Sequence, residues 1–208
     1  MEEKIAYNIT TKQHELSIIN RYRNYKWMLY AVMGGISFLF LSLTFMYFVS
    51  NYKLQNHTLK ISSIYFINTF ILLASSIVLI NLQKYFREDK FKNYKKNILL
   101  FYALSLLFLI GQSLAIYQMY TSVLNLPKSN SIHFFSIIGI HTLYLIGGIF
   151  YWIYFTTTNW NLLKTYATSI VHFTDPIAKM QLDLFARFWH FLGVIWLYLL
   201  FFFLTFTL

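Results

Sequence analysis

Cysteine is absent from this 208-residue chain, which excludes disulfides, thiolate metal sites and cysteine nucleophiles. Acids are scarce as well. Glu2, Glu3, Glu15, Glu88, Asp89, Asp175 and Asp183 are the whole set, and only Asp183 touches a long apolar run. No paired carboxylates are placed within the runs to bind a coupling ion or relay a proton. Charged residues make up 12% of the chain, about half of what a soluble domain carries. The two prolines, Pro127 and Pro176, read as loop positions. All seven glycines (Gly34, Gly35, Gly111, Gly139, Gly147, Gly148 and Gly193) fall inside apolar runs instead of turns. That distribution fits membrane helices, where small residues let backbones approach each other; Gly34, Gly35, Gly139, Gly148 and Gly193 are the expected close-packing positions.

What the chain does have is apolar and aromatic residues, 58% and 21% respectively. Five runs reach the ~20 residues that a bilayer crossing takes, at about 27–49, 60–82, 97–120, 133–155 and 183–206. The expected fold is an all-α membrane protein: a five-transmembrane-helix bundle over 27–208 behind a polar leader over 1–26. Thr10 or Thr11 is the expected N-cap of a short leader helix, with Ile18, Ile19 and Tyr22 resting on the membrane surface; a solvated leader is the alternative. The first run extends too far for a signal-peptide core, so this helix is expected to stay in the mature protein. The one long loop is expected over 156–182.

The formal charge of +10 is a topology signal rather than a nucleic-acid footprint, because the cations sit between apolar runs. Lys4, Lys12, Arg21, Arg23, Lys26, Lys84, Arg87, Lys90, Lys92, Lys95, Lys96, Lys164 and Lys179 fall on one side, against Lys53, Lys60 and Lys128 on the other. The positive-inside rule then places the N-terminus inside and the C-terminus outside. Trp27, Trp152, Trp160 and Trp189 read as an interfacial belt on the inner side. The run KYFREDKFKNYKK mixes aromatics with cations, which fits either a site for anionic lipid headgroups or, as the stronger reading, a positive-inside loop with interfacial aromatics.

Two histidines, His141 and His190, lie well inside the runs. At 1.5 Å per residue His141 is ~12 Å below the outer surface and His190 ~10 Å above the inner one, so in a ~30 Å core they differ in depth by about 8 Å. That spacing argues against a bis-histidine haem and for hydrogen bonds between helices. Gln112 stands level with His141 on the preceding helix, where either a polar pair satisfies both or each bonds its own backbone or a water. Asp183, Arg187 and His190 follow i, i+4, i+7 spacing and share one face, which predicts either a local Asp183–Arg187 ion pair or a contact between subunits.

The C-terminal half carries a more specific pattern. FLIGQSLAIYQM (108–119), FFSIIGIHTLYLIGGIFYWIYF (134–155) and DLFARFWHFLGVIWLYLLFF (183–202) resemble successive segments of subunit III of the haem-copper oxidases. The matching positions are Gly111, Gln112, Gly139, His141, Leu143, Gly148, Asp183, Trp189, His190, Phe191, Trp196 and Leu197. Ala115, Tyr144 and Gly193 stand where the family has Glu, His and Asp, and Gly34 and Gly35 near its buried Glu of the first span. The resemblance is to the five-helix bacterial form. It implies a non-catalytic subunit of a bacterial terminal oxidase (cytochrome c oxidase) of the aerobic respiratory chain, in the cytoplasmic (inner) membrane. Subunits I and II would be its partners and would hold the haems and copper, with none in this chain and with phospholipid bound to it. Its role would be to sustain proton uptake and complex stability, also within a larger respiratory supercomplex. The rivals are a small subunit of a nitric oxide reductase or quinol oxidase, a stand-alone transporter and a b-type cytochrome.

Overall fold

Inside a bilayer a chain must satisfy its own backbone hydrogen bonds, and apolar runs without proline do so as helices. The computed structural model describes residues 2–52, 61–124 and 128–205, the side chains of 2–15, 52, 121 and 122 aside. It contains α1 (Glu2–Tyr52), α2 (Ile64–Arg87), α3 (Phe91–Leu124), α4 (Lys128–Asn159), α5 (Tyr166–Thr174) and α6 (Pro176–Leu204). All but α5 are long and apolar enough to cross a membrane, and no strand occurs among the described residues. The protein is a multi-pass, all-helical membrane bundle. Pro127, Lys53 and Lys60 lie outside the described residues.

Three features differ from the sequence reading. First, α1 is continuous from Glu2, with no separate leader helix capped at Thr10 or Thr11. No proline or glycine occurs before Gly34 to interrupt it. Second, the stretch expected as a loop is largely helical, because α4 runs on to Asn159 and α5 fills 166–174. Pro176 is the first residue of α6, where its missing N–H is no loss. The Asp175 carboxylate caps that helix, accepting from the Ile177 amide at 2.8 Å. Third, Trp152 and Trp189 belong to the core and not to an interfacial belt, whereas Trp27 and Trp160 are exposed.

Polar joints define the two ends of the bundle. At one end Asn51 of α1 accepts from Asn130 of α4 at 2.9 Å, and Ser62 donates to Gln118 of α3 at 2.7 Å. At the other end Gln83 meets Asp183, and Tyr94 and Asn159 meet His172 of α5. The α2–α3 turn is tight, with Asp89 in the left-handed region at φ 52°, a conformation Asp tolerates better than most residues. α6 packs against α1, α2 and α4 and forms the centre of the bundle.

Candidate functional site

Most residues singled out in the sequence lie on α6 or against it. The Trp189 indole donates to Ser75 Oγ and the Trp196 indole to Thr69 Oγ1, both at 3.0 Å, which ties α6 to α2 at two levels. His141 of α4 is fully buried, and its Nε2 lies 3.2 Å from the Leu192 carbonyl of α6. A carbonyl only accepts, so Nε2 carries the proton. The imidazole packs between Phe40, at 6.1 Å, and Trp196, at 5.3 Å between centroids. His141 thus bonds α4 to α6 through Nε2, while its Nδ1 is buried without a partner among the described residues. His190 makes no such bond among the described residues and is only partly buried.

Gln112 and His141 do not pair. Gln112 Oε1 instead accepts from Asn68 Nδ2 of α2 at 3.4 Å, and the same amide group reaches the Phe108 carbonyl at 3.4 Å. Asn68 was missed in the sequence, although a lone amide in the run SIYFINTFILL is a costly residue in lipid and therefore a signal. It also explains a glycine. A Cβ on Gly111 would lie 2.1 Å from Asn68 Oδ1, so only glycine leaves room for the amide. The expected close-packing set fares differently: Gly34, Gly35 and Gly139 have nothing within 4 Å of an added Cβ. Gly148 and Gly193 meet Trp189 and Leu72 at ordinary distances, 3.5 and 3.9 Å.

The predicted Asp183–Arg187 pair is likewise not formed. Asp183 accepts from Gln83 Nε2 at 2.8 Å and lies 3.8 Å from the Arg87 guanidinium, both on α2. Arg187 turns to α1 and donates to the Tyr30 hydroxyl at 3.3 Å. Two donors four residues apart on α2 hold the carboxylate, so α6 is joined to α2 and to α1 by residues that a single-helix view would have paired.

A second polar joint escaped the sequence reading. His172 of α5 is buried among Phe86, Phe155 and Phe173, with Asn159 Oδ1 3.1 Å from Nδ1 and the Tyr94 hydroxyl 3.3 Å from Nε2. Asn159 Nδ2 is spent on the Phe155 carbonyl, so Nδ1–H donates to Asn159 and Tyr94 donates to Nε2. Burial pushes the His172 pKa down to about 4, against an opposing pull from the Asp175 carboxylate. Its loop position gave it no hydropathy signal.

One opening in the bundle is a cleft of about 690 Å³ between α1, α4 and α6. It exists because α1 joins the core only from Ile36 onward: Ile36, Phe40, Thr44 and Tyr47 are buried, while no described residue from Leu16 to Gly35 is. Val32, Leu143, Leu184 and Phe188 give it apolar walls, and Arg21 and Gln181 supply polar groups. Tyr144, which packs against Phe40 at 6.5 Å between centroids, also lines it. Such a cleft can hold an amphiphile, its apolar body along the walls and an anionic group at Arg21. No group of three or more metal-ligating side chains converges among the described residues. Compared with family models and with curated proteins, the chain matches none.

Proposed function

We propose that the chain is a non-catalytic, subunit III-type component of a bacterial haem-copper terminal oxidase, packed beside subunits I and II in the cytoplasmic membrane. The observation that carries the reading is how the resembling residues are used. Gln112, His141, Trp189 and Trp196 are buried, and each is bonded to a neighbouring helix, the two indoles through their only polar atom and Gln112 and His141 through Oε1 and Nε2, with Gln112 Nε2 and His141 Nδ1 left without a partner among the described residues. Side chains committed in this way influence a reaction through packing, not by touching a substrate. The haems and copper then belong to the partner subunits, and this chain prolongs their activity and supports proton uptake. In this reading the cleft holds a phospholipid, with an acyl chain against Val32, Leu143 and Phe188 and the phosphate near Arg21.

Purification through a tag on this chain, with an optical spectrum and identification of the accompanying subunits, tests the proposal. A complex with haem absorbance and oxidase subunits I and II is expected. A colourless chain that purifies alone from aerobic membranes refutes it, and reductase or quinol oxidase subunits would redirect it.

A further inference from the structure

The short helix α5 is inside out. Its buried side holds Ser169 and His172 beside Phe173, while Tyr166, Ile170 and Val171 are 64%, 51% and 58% exposed. The polar side chains lose nothing by burial, since Ser169 Oγ donates to the Tyr166 carbonyl at 2.7 Å and His172 is held by Tyr94 and Asn159. Tyr166 and Ile170, four residues apart, lie on one stripe of the helix, Val171 flanks it, and all three face away from the protein.

Depth decides what that stripe meets. α4 has 32 residues and α6 has 29, which at 1.5 Å per residue makes each more than 40 Å long, against a ~30 Å hydrocarbon core. Their joined ends therefore stand in the headgroup layer, and α5 lies between them. Charge decides which headgroups. Lys92, Lys95, Lys96 and Lys164 lie at this end outside any ion pair among the described residues; Lys90 is paired with Glu88 at 2.7 Å and Asp183 lies 3.8 Å from Arg87, so Asp89 and Asp175 still leave this end net positive. Lys95 Nζ sits over the rings of Phe91, at 5.6 Å, and of Trp160, at 5.3 Å, and Phe91 packs edge-on against Tyr166 of α5 at 6.3 Å. No carboxylate lies within salt-bridge distance of Lys95 among the described residues. Its charge is oriented by rings and stays available to an anion.

We propose that α5, with Phe91, Lys95 and Trp160, is a membrane-interface platform that seats anionic phospholipid headgroups. The tyrosine and isoleucine of the stripe and the flanking valine enter the interface, and Lys95 faces the phosphate beside them. This site is separate from the cleft and requires only that the chain crosses a bilayer, so it stands or falls independently of the oxidase reading.

The absence of cysteine allows a direct test, because Ile170→Cys gives the whole chain one labelling site. In nanodiscs, an environment-sensitive fluorophore at 170 is expected to be quenched by brominated phospholipid and shielded from aqueous iodide. A label on Asp89→Cys should show the reverse. At equal mole fraction brominated phosphatidylglycerol should quench the 170 label more than brominated phosphatidylcholine, with an apparent preference of about five-fold for one lysine at the surface. Lys95→Gln should remove most of that preference, and Lys92→Gln, an equal change of charge away from the rings, should leave most of it. Iodide quenching at 170 equal to that at 89, or shielding of 170 from both quenchers, would overturn the membrane assignment. Equal quenching by the two lipids, or equal losses in the two lysine variants, would overturn the Lys95 site.

Discussion

Replacing Gly111 by alanine adds one methyl group where the protein has no room for it. The new Cβ would stand 2.1 Å from Asn68 Oδ1 and 2.9 Å from its Cγ. Rotating the Asn68 amide end over end exchanges Oδ1 for Nδ2 and leaves the clash. Only a change at χ1 clears it, and Asn68 is fully buried, so the amide has no solvent to enter. The bonds to Gln112 Oε1 and the Phe108 carbonyl are then lost. Overpacking costs about 1–3 kcal/mol and each lost interhelical bond about 0.6 kcal/mol, for a total of about 2–4 kcal/mol. At about 2–4 °C per kcal/mol for a chain of this size, the midpoint should fall by roughly 5–15 °C. Thermal unfolding in detergent, followed by tryptophan fluorescence and by retention of monodisperse protein, measures it. Gly34→Ala and Gly35→Ala, which meet nothing within 4 Å, should be neutral or stabilising by up to about 1 kcal/mol. Adding Asn68→Ala to Gly111→Ala should restore part of the loss, because the clash leaves with the amide. A Gly111→Ala protein as stable as Gly34→Ala would refute the reasoning.

Three further outcomes follow from the same geometry. His172 stays neutral in the fold down to about pH 4, while its unfolded counterpart takes up a proton near pH 6.5. Stability should therefore fall as pH drops from about 6.5 to about 4, by up to about 3 kcal/mol, and level off below; the difference in midpoint between the wild type and His172→Asn across this range checks it. Asp183→Ala should cost about 1–3 kcal/mol by stranding Gln83. A double-mutant cycle should find coupling of Asp183 to Gln83 and none to Arg187, and coupling to Arg187 alone would contradict the observed partners. Reporter fusions after residue 90 and at the C-terminus should report opposite sides of the membrane, the first one cytoplasmic, as the distribution of Lys and Arg predicts.

The number and type of the membrane elements were legible in the sequence because run length and hydropathy are local properties. Hence all five expected runs correspond to membrane-length helices, and a polar residue inside one, such as His141, could be singled out as a bond between helices. Element ends were less legible. The cap at Asp175 and the proline at N1 of α6 were present as residues, but 156–182 lacked the hydropathy that marked the other helices. Partner choice was not legible at all. Asp183 bonds Gln83 rather than Arg187, Gln112 bonds Asn68 rather than His141, and Gly111, not Gly34 or Gly35, makes the close approach. The reason lies in the solvent. In water a helix shows its buried side by contrast with a polar one, but in a bilayer the lipid-facing side is apolar too, and the periodicity that would reveal each helix's rotation is erased. The sequence alone thus determined that these helices cross the membrane, while how each is turned, and which side chains meet, was decided only by the packed bundle.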